Sequence, residues 1–414
     1  MRGLLLSALL LCALPSVGQA GDDYLSVLRE RSDRLGLAHS REWLDLLHYR
    51  PGLLGGEKSL LDSPAFFLAP TGKTDPRAEL EATLAAFFST QVETDSSQNP
   101  QCAFIARYRW LKARLDFDPQ RLPEQPCPRY EAWHAAIDPH SVTLIFPSAY
   151  LNNPSSMFGH TLLRIDTPQQ DERTRLLSYT INYAAVTDET NGVLFAIKGI
   201  FGGYPGQFSI LPYYRKVQEY SDLENRDIWE YQLDLTPAEI DRLLEHAWEL
   251  GPNYFQYYFF DENCAYQLLG LLDVARPGLR LSDEFPVYAI PSDTVRAVVD
   301  APGLLRKTVY RPSARTELEH AIDRLDTDET DLAMAIGRGE VPPDAPQVVA
   351  LPEERRARVI ETAYGYVQYQ FNSGQLPREQ ATPSSEHAID QNAPRSIAVR
   401  FPLTLFTLHP FLAL

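Results

Sequence analysis

Four short apolar runs in the middle of the chain limit the folds that it can adopt. They lie between residues 141 and 235 and read SVTLIF, GHTLLRID, LLSYTINYAA and IWEYQLDL. Short runs that are rich in β-branched residues are typical of buried strands. Two stretches with apolar residues at helical spacing follow, TPAEIDRLLEHAWEL and DENCAYQLLGLLDVARP. This pattern predicts an α+β domain, which we place at residues 129–295.

Helical patterns flank this domain on both sides. Residues 21–128 are predicted to form a helical N-terminal domain, because apolar residues recur at helical spacing in segments such as SREWLDLLHY and DPRAELEATLAAFFST. Residues 296–375 are predicted to be helical again, from SDTVRAVVDAPGLLRK onward to ERRARVIETAYGYVQYQF. Residues 376–414 start as a polar, flexible segment and end in an abruptly apolar tail, which fits an edge strand, a peripheral anchor or the stub of a longer chain.

The charge of the chain excludes some classes of partner. The formal net charge is −17, from 55 acidic and 38 basic residues. An acidic surface argues against binding to nucleic acid and against electrostatic docking on anionic headgroups. It leaves open a membrane-embedded substrate that is reached by apolar contact, so peripheral membrane contact is compatible with the sequence.

The first twenty residues have the pattern of a secretory signal peptide. Arg2 supplies the positive charge, and Leu4 to Leu14 form an apolar run that is too short to span a bilayer. Gly18 and Ala20 are small residues at the positions that a signal peptidase requires. The sequence therefore predicts removal of residues 1–20 and export, to the periplasm if the source is a Gram-negative bacterium.

Export makes the cysteines informative. Cys12 leaves with the predicted signal, and Cys102 and Cys127 could form a disulfide in an oxidising compartment. Cys264 is then the odd cysteine. An unpaired cysteine of an exported protein is either buried and inert, which is the commoner case, or reactive.

Cys264 lies where a helix is predicted to begin. In FFDENCAYQLLGLL, either Asp261 or Asn263 can cap the helix, so that Cys264 falls in its first turn. The unsatisfied N–H groups and the helix dipole at that position stabilise a thiolate and lower its pKa. A thiol that faces a sheet from a helix N-terminus is the geometry of thiol proteases, and it needs a base on the facing strand.

His160 is the candidate base and Asn182 the candidate residue that orients it. His160 begins the run GHTLLRI after a loop of Asn-Pro-Ser-Ser type, and side chains at such a strand end reach a cleft. Asn182 lies on the next predicted strand, where its amide oxygen would hold the imidazole N–H. Ser178 and Tyr183 are alternatives for that role, and a buried amide that closes a strand-edge hydrogen bond explains Asn182 equally well.

Three further features carry weaker predictions. GIFGGYPGQF lacks the Lys and Ser or Thr of a phosphate loop and is predicted to be a turn or flap near the cleft. The aromatic run YFQYYFF at residues 254–260 is predicted to be core, with the wall of an acyl-chain pocket as the alternative. His246 and Glu249 are spaced for one face of a helix, for which a solvated face is favoured over a metal site. Neither a metal nor another cofactor is expected.

Several of these segments together carry a family resemblance. They are PSSMFGHTLLRID, SYTINYAA, FGGYPGQF, PYYRKVQEY, RDIWEYQL and YFFDENCAYQLLGLLDVARP, and they resemble the Lnb-type N-terminal periplasmic domain over residues 130 to 300. The resemblance implies a permuted papain-like core, similar to lecithin:retinol acyltransferase and NlpC-type enzymes. In such a core an antiparallel sheet packs on a helix that bears the cysteine, and the histidine strand precedes that helix.

The resemblance also implies thiol-dependent acyl chemistry. Cys264 would carry a transient thioester, His160 would activate the thiol, and Asn182 would complete the site. Lipoprotein-processing members move an acyl chain onto a lipoprotein N-terminal cysteine, so an acyl-bearing lipid or lipoprotein is the expected substrate. An acyl hydrolase, a peptidoglycan-type amidase or peptidase with the same dyad, and a non-catalytic envelope scaffold are the alternatives. The sequence does not predict an oligomeric state.

Overall fold

The computed structural model describes residues 17–52, 55–89, 98–148, 160–169, 174, 177–187, 189, 191–213 and 226–376. Residues 1–16 and 377–414, which hold most of the predicted signal peptide and of the predicted tail, lie outside this part, as does the Asn-Pro-Ser-Ser loop before His160. The chain divides into two compact units. One comprises the residues up to 223 together with 227–311, and the other comprises 224–226 and the residues from 312 onward.

The first unit contains a helical region and a sheet with helices beside it. Its helices are α1 (Val17–Arg34), α2 (Arg41–Leu46), α3 (Pro76–Ala86), α4 (Pro100–Ala103), α5 (Ile105–Leu115), α6 (Pro128–Ile137), α7 (Gly192–Phe201), α8 (Pro237–Leu250), α9 (Cys264–Ala275) and α10 (Pro291–Asp300). Its strands are β1 (Tyr49–Pro51), β2 (Glu57–Ser59), β3 (Ser141–Pro147), β4 (Leu162–Asp166), β5 (Tyr179–Ala185), β6 (Tyr204–Pro212), β7 (Ile228–Leu233), β8 (Tyr254–Tyr257) and β9 (Leu305–Arg311).

Seven of the described strands form one antiparallel sheet in the order β8-β6-β5-β4-β3-β7-β9. Strand β4 lies at its centre, and all five of its residues are buried. Helix α9 packs on β4 and β5, while α8 packs on α9 and on β3. The predicted α+β class is therefore confirmed, and the four apolar runs that predicted strands all contain one.

The glycine-rich stretch GIFGGYPGQF, predicted to be a turn or flap, contains a turn between a helix and a strand. Helix α7 ends within the stretch, a turn follows at Gly202, and β6 begins at Tyr204. Its glycines make room for aromatic rings from neighbouring segments. A Cβ atom at Gly199 would overlap the ring of Phe259, and one at Gly206 would overlap the hydroxyl of Tyr183.

The helix predicted for SDTVRAVVDAPGLLRK is correct only in its first part. Helix α10 ends at Asp300, and Gly303 has a φ of +68°, which a continuing helix cannot accommodate. The residues that follow form β9, which pairs with β7 at the edge of the sheet. This edge strand contains Thr, Val and Tyr, which favour an extended backbone.

The N-terminal helices share one hydrophobic core with the sheet region. Trp43 on α2 and Leu111 on α5 belong to the same buried cluster as Leu163 of β4 and Leu271 of α9. Residues up to 223 and 227–311 form one compact unit. A domain boundary near Pro128 stays a prediction. A disulfide joins Cys102 and Cys127 within this region.

The second unit is helical in its described part. Its helices are α11 (Ala314–Ile322), α12 (Thr327–Gly337), α13 (Pro346–Val349) and α14 (Glu353–Asn372). They enclose a small core of their own, formed by Ala333, Ile336, Val348, Val359 and Ala363. Among the residues described in both units, no helix is long and apolar enough to cross a membrane.

Candidate active site

Cys264 occupies the first position of α9, and Asn263 caps that helix. The Asn263 amide oxygen accepts hydrogen bonds from the N–H groups of Ala265 and Tyr266, at 3.0 and 3.2 Å. The same side chain donates to the carbonyl oxygens of Phe259 and Ala289, at 3.0 and 2.6 Å. Asn263, rather than Asp261, is therefore the cap, and it fixes the start of the helix to two neighbouring segments.

His160 and Asn182 are in direct contact. The distance from His160 Nε2 to Asn182 Oδ1 is 2.7 Å, and Asn182 is buried within β5. An amide oxygen only accepts, so Nε2 carries the proton of the neutral imidazole. The other ring nitrogen, Nδ1, is then left as the acceptor that can face a thiol.

His160 also interacts with the thiol of Cys264. Burial alone would raise the pKa of this thiol, because it penalises the thiolate. The charge of His160 and its hydrogen bond to the sulfur are the largest effects that oppose burial, and the pKa falls from its ordinary 9.0 to about 7. The structure thus brings together all three residues that the sequence singled out, and it gives the thiol a pKa close to neutral pH.

Two further groups surround the sulfur, and the sequence did not predict either. The backbone N–H of Thr161 and the hydroxyl of Tyr257 both hydrogen bond to Cys264 and lower the pKa of its thiol. Tyr257 lies on β8, inside the aromatic run that was assigned to the core. A period-two pattern in that run, with Phe255 and Tyr257 on one face, was the only available signal.

Ser178 and Tyr183, the alternatives to Asn182, have other surroundings. Ser178 is buried at the end of β5, and its carbonyl oxygen accepts a hydrogen bond from the N–H of Tyr213. The ring of Tyr183 stacks on Tyr257 with a centroid distance of 5.6 Å, and its hydroxyl lies over Gly206. The hydrogen bond to His160 is made by Asn182.

Only part of the aromatic run before Cys264 belongs to the core that the sequence predicts for it: of residues 254–260, two are buried, four are partly buried and one is exposed. Phe255 and Tyr257 are buried on β8, and Phe255 lies edge-on to His48. Phe260 is exposed, at the point where the chain leaves the sheet for the Asn263 cap. The run therefore has buried residues next to the site at Tyr257 and ends at the protein surface at Phe260.

The solvated face predicted for His246 and Glu249 is wrong, because both side chains are buried. His246 Nε2 lies 3.0 Å from His48 Nε2, and burial lowers the pKa of both imidazoles. Glu249 accepts a hydrogen bond from the backbone N–H of Arg107 at 2.9 Å. No group of three or more His, Cys, Asp or Glu side chains in the described ranges is arranged to hold a metal ion.

Comparison with known families agrees with the motifs. Residues 129–301 match the model of the Lnb N-terminal periplasmic domain, which confirms the resemblance, and this segment contains Cys264, His160 and Asn182. Two domains of unknown function match on either side of it, DUF7843 over residues 35–114 and DUF7842 over residues 308–388. Neither the curated proteins nor the solved structures include a match to the chain.

Proposed function

We propose that the protein is a thiol-dependent acyltransferase or acyl hydrolase of the cell envelope. It would act on a lipid- or lipoprotein-type acyl substrate through a thioester on Cys264. One observation carries the proposal: a thiol at a helix start has its pKa lowered to about 7 by a histidine that an asparagine holds in place. The order of a histidine strand before a cysteine helix supports a permuted papain-like core.

The chemistry takes two steps. His160 removes the proton of Cys264, and the sulfur bonds to the carbonyl carbon of an ester or amide. The bond to the leaving group then breaks, and His160 returns its proton to that group. In the second step an amine or water attacks the thioester and gives its proton to His160. The carbon–sulfur bond breaks, the acyl chain is transferred or hydrolysed, and His160 returns the proton to the sulfur. The N–H of Cys264 is the donor proposed for the tetrahedral oxyanion, and the hydroxyl of Tyr257 would join it once formation of the carbon–sulfur bond has removed the charge that its proton stabilises.

Three observations support a periplasmic location. The family model that matches residues 129–301 describes a periplasmic domain. The first twenty residues have the pattern of a secretory signal. The disulfide between Cys102 and Cys127 is typical of proteins that fold in an oxidising compartment.

The pH dependence of alkylation at Cys264 tests the proposal. An acid whose pKa is lowered on folding loses its proton at a lower pH, so the alkylation rate should rise with pH through about 7. His160→Ala should move this midpoint back toward the ordinary 9.0 of the thiol. His39→Ala is the matched control, because His39 is exposed and lies outside the site. Intact mass of the non-reduced protein gives the extent of labelling.

Two outcomes would contradict the proposal. A thiol that reacts only near its ordinary pKa, or that is insensitive to His160→Ala, would leave a scaffold with a shared fold. An activated thiol that releases product from peptidoglycan peptides, but from no acyl ester, would assign the site to an amidase or peptidase. Cys264→Ala must abolish turnover in either enzyme.

A further inference from the structure

Helix α7 exposes an apolar face in the part of the chain that the structure describes. Val193, Ile197 and Phe201 are 72%, 50% and 76% exposed, and Leu194 and Ile200 are exposed as well. These side chains together expose on the order of 500 Å², which is in the range of the largest apolar patch on a typical monomer, a patch that is often functional. The single charged residue of the helix, Lys198, forms an ion pair with Glu189 at 3.3 Å.

Two neighbouring segments expose further apolar side chains. Phe260 is 45% exposed and Val287 is 74% exposed, and Tyr288 beside Val287 is exposed too. The two segments are joined by a hydrogen bond from the Ala289 N–H to the Phe260 carbonyl oxygen, at 2.6 Å. They connect to α7 because the Phe259 N–H donates to the Gly199 carbonyl oxygen at 2.8 Å. We call Val193, Leu194, Ile197, Ile200, Phe201, Phe260, Val287 and Tyr288 the apolar belt.

The apolar belt is fixed to the start of the helix that bears the thiol. Asn263, which caps α9, donates to the carbonyl oxygens of Phe259 and Ala289. Each of these two residues adjoins a belt residue in the chain, and Cys264 follows Asn263 directly. A partner surface that binds the apolar belt would therefore lie next to the candidate site.

The chemistry of the belt fits hydrocarbon better than a protein partner. Protein–protein interfaces need roughly one hydrogen bond per 100–200 Å² and are enriched in Arg. The belt offers one phenolic hydroxyl, at Tyr288, and the lysine on its helix is already paired. The chain carries a net charge of −17, so anionic headgroups would repel it and attraction must come from apolar contact.

We propose that the apolar belt inserts into the interfacial region of a zwitterionic lipid leaflet and brings Cys264 to acyl substrates at that surface. The proposal rests on the proposed function for its purpose, but the docking itself is a separate physical property. An amphipathic helix that lies in the membrane plane binds in proportion to the apolar area that it buries. Binding should therefore be insensitive to salt and should not require anionic lipid.

Flotation with phosphatidylcholine vesicles tests the belt in the full chain. Cys264→Ala serves as the background, so that a failure of the catalytic proposal cannot affect the result. In this background the pair Ile197→Glu and Phe201→Glu should lower vesicle partitioning at least about tenfold, because each substitution removes buried apolar area and adds a charge. Val27→Glu and Leu35→Glu form the matched control pair, since both residues are exposed and apolar but lie on or next to α1.

A fluorescent probe gives a second measurement that does not depend on loss of binding. With Cys264 replaced and Cys102 bonded to Cys127, Val193→Cys provides a single reactive thiol among the described cysteines. An environment-sensitive dye at position 193 should shift to shorter wavelength on addition of phosphatidylcholine vesicles. The same dye at Leu35→Cys should not shift.

Four results would overturn the proposal. The first is that the Cys264→Ala protein fails to float with phosphatidylcholine vesicles, and the second is that the belt pair and the control pair lose binding equally. The third is binding that requires anionic lipid and disappears in high salt. The fourth is that the belt pair dissociates a dimer without changing vesicle binding. The last result would make a second copy of the chain the occupant of the belt. Because none of these measurements uses the thiol, they are independent of the alkylation result at Cys264.

Discussion

Asn182 illustrates what a single buried amide can do for a reactive thiol. Its oxygen holds His160 Nε2 at 2.7 Å and so decides which ring nitrogen is free to accept the proton of Cys264. An aspartate in this position would add a buried negative charge, whereas an amide orients the ring without one. Two opposing effects then mainly set the pKa of the thiol: burial raises it, and His160 lowers it.

Asn182→Ala should slow alkylation of Cys264 near pH 7 by less than about fiftyfold, which is the loss of thiolate expected if the pKa of the thiol returned from about 7 to its ordinary 9.0. The imidazole keeps its place in the fold but loses the bond that fixes its tautomer. Asn182→Asp keeps an acceptor for Nε2 and should retain more of the rate than the alanine variant. An alkylation profile of Asn182→Ala identical to that of the wild type would show that the hydrogen bond has no part in activating the thiol.

The three residues Cys264, His160 and Asn182 could be found from sequence because each lies at a recognisable position. Cys264 follows a capping residue, His160 precedes a buried strand, and Asn182 lies on the next one. Tyr257 could not be found in this way, because a tyrosine in a run of aromatic residues is normally part of the core. Its hydroxyl reaches the sulfur only because β8 pairs with β6, a long-range pairing that local patterns do not contain.

Strands β6, β8 and β9 were missed for a common reason. Each has a composition that local patterns assign elsewhere: glycines in β6, continuous aromatics in β8 and a preceding helix pattern before β9. Tertiary packing decides these cases, since the glycines of α7 and β6 accommodate the rings of Phe259 and Tyr183. A glycine-rich stretch that looks like a flexible turn is here a set of close contacts.

Substitution of two helical glycines separates close packing from backbone freedom. Gly199→Ala should destabilise the first unit by roughly 1–3 kcal/mol, because the added methyl group overlaps the ring of Phe259. Gly365→Ala on α14 is the matched control, since its Cβ would meet only Leu318 at 3.9 Å. It should stabilise the second unit by about 0.5–1 kcal/mol, the usual gain in helix propensity. Denaturant unfolding measures both, and equal effects of the two substitutions would refute the packing argument.

The N-terminal helices are held to the sheet region by more than apolar contact. Arg107 on α5 is fully buried, with Nη1 2.9 Å from Glu79 on α3 and Nε 3.3 Å from Glu249 on α8. Its guanidinium also lies 4.0 Å from the ring centroid of Phe66. Removing one partner of such a buried pair typically costs about 3–5 kcal/mol, because a charge is left unpaired. The first unit is therefore expected to unfold as a whole.

The disulfide makes a comparable contribution through the unfolded state. Cys102 and Cys127 are 25 residues apart in the chain. Closing a loop of that length lowers the entropy of the unfolded chain and raises its free energy by about 3 kcal/mol. The double variant Cys102→Ser and Cys127→Ser should lower the free energy of unfolding by that amount and leave the alkylation midpoint of Cys264 unchanged. The control is the wild-type protein, denatured with and without reductant. Without reductant, Cys264 should be the only one of these three cysteines that is labelled.

A stability that does not respond to reductant would mean that the two thiols are not bonded in solution. Labelling of Cys102 or Cys127 without reduction would lead to the same conclusion. Either finding would leave the arrangement around Cys264 unaffected, because neither of these cysteines lies among the groups that contact its sulfur.

The order of the cysteines along the chain has a consequence for biogenesis. When a polypeptide is translocated N-terminus first, Cys102 and Cys127 emerge as a consecutive pair before Cys264 has left the channel. An oxidase that joins thiols as they appear closes the correct bond at a stage when the third thiol is still sheltered. On the proposed route of export, those two potential partners would already be joined by the time Cys264 emerges, which would keep the proposed nucleophile reduced.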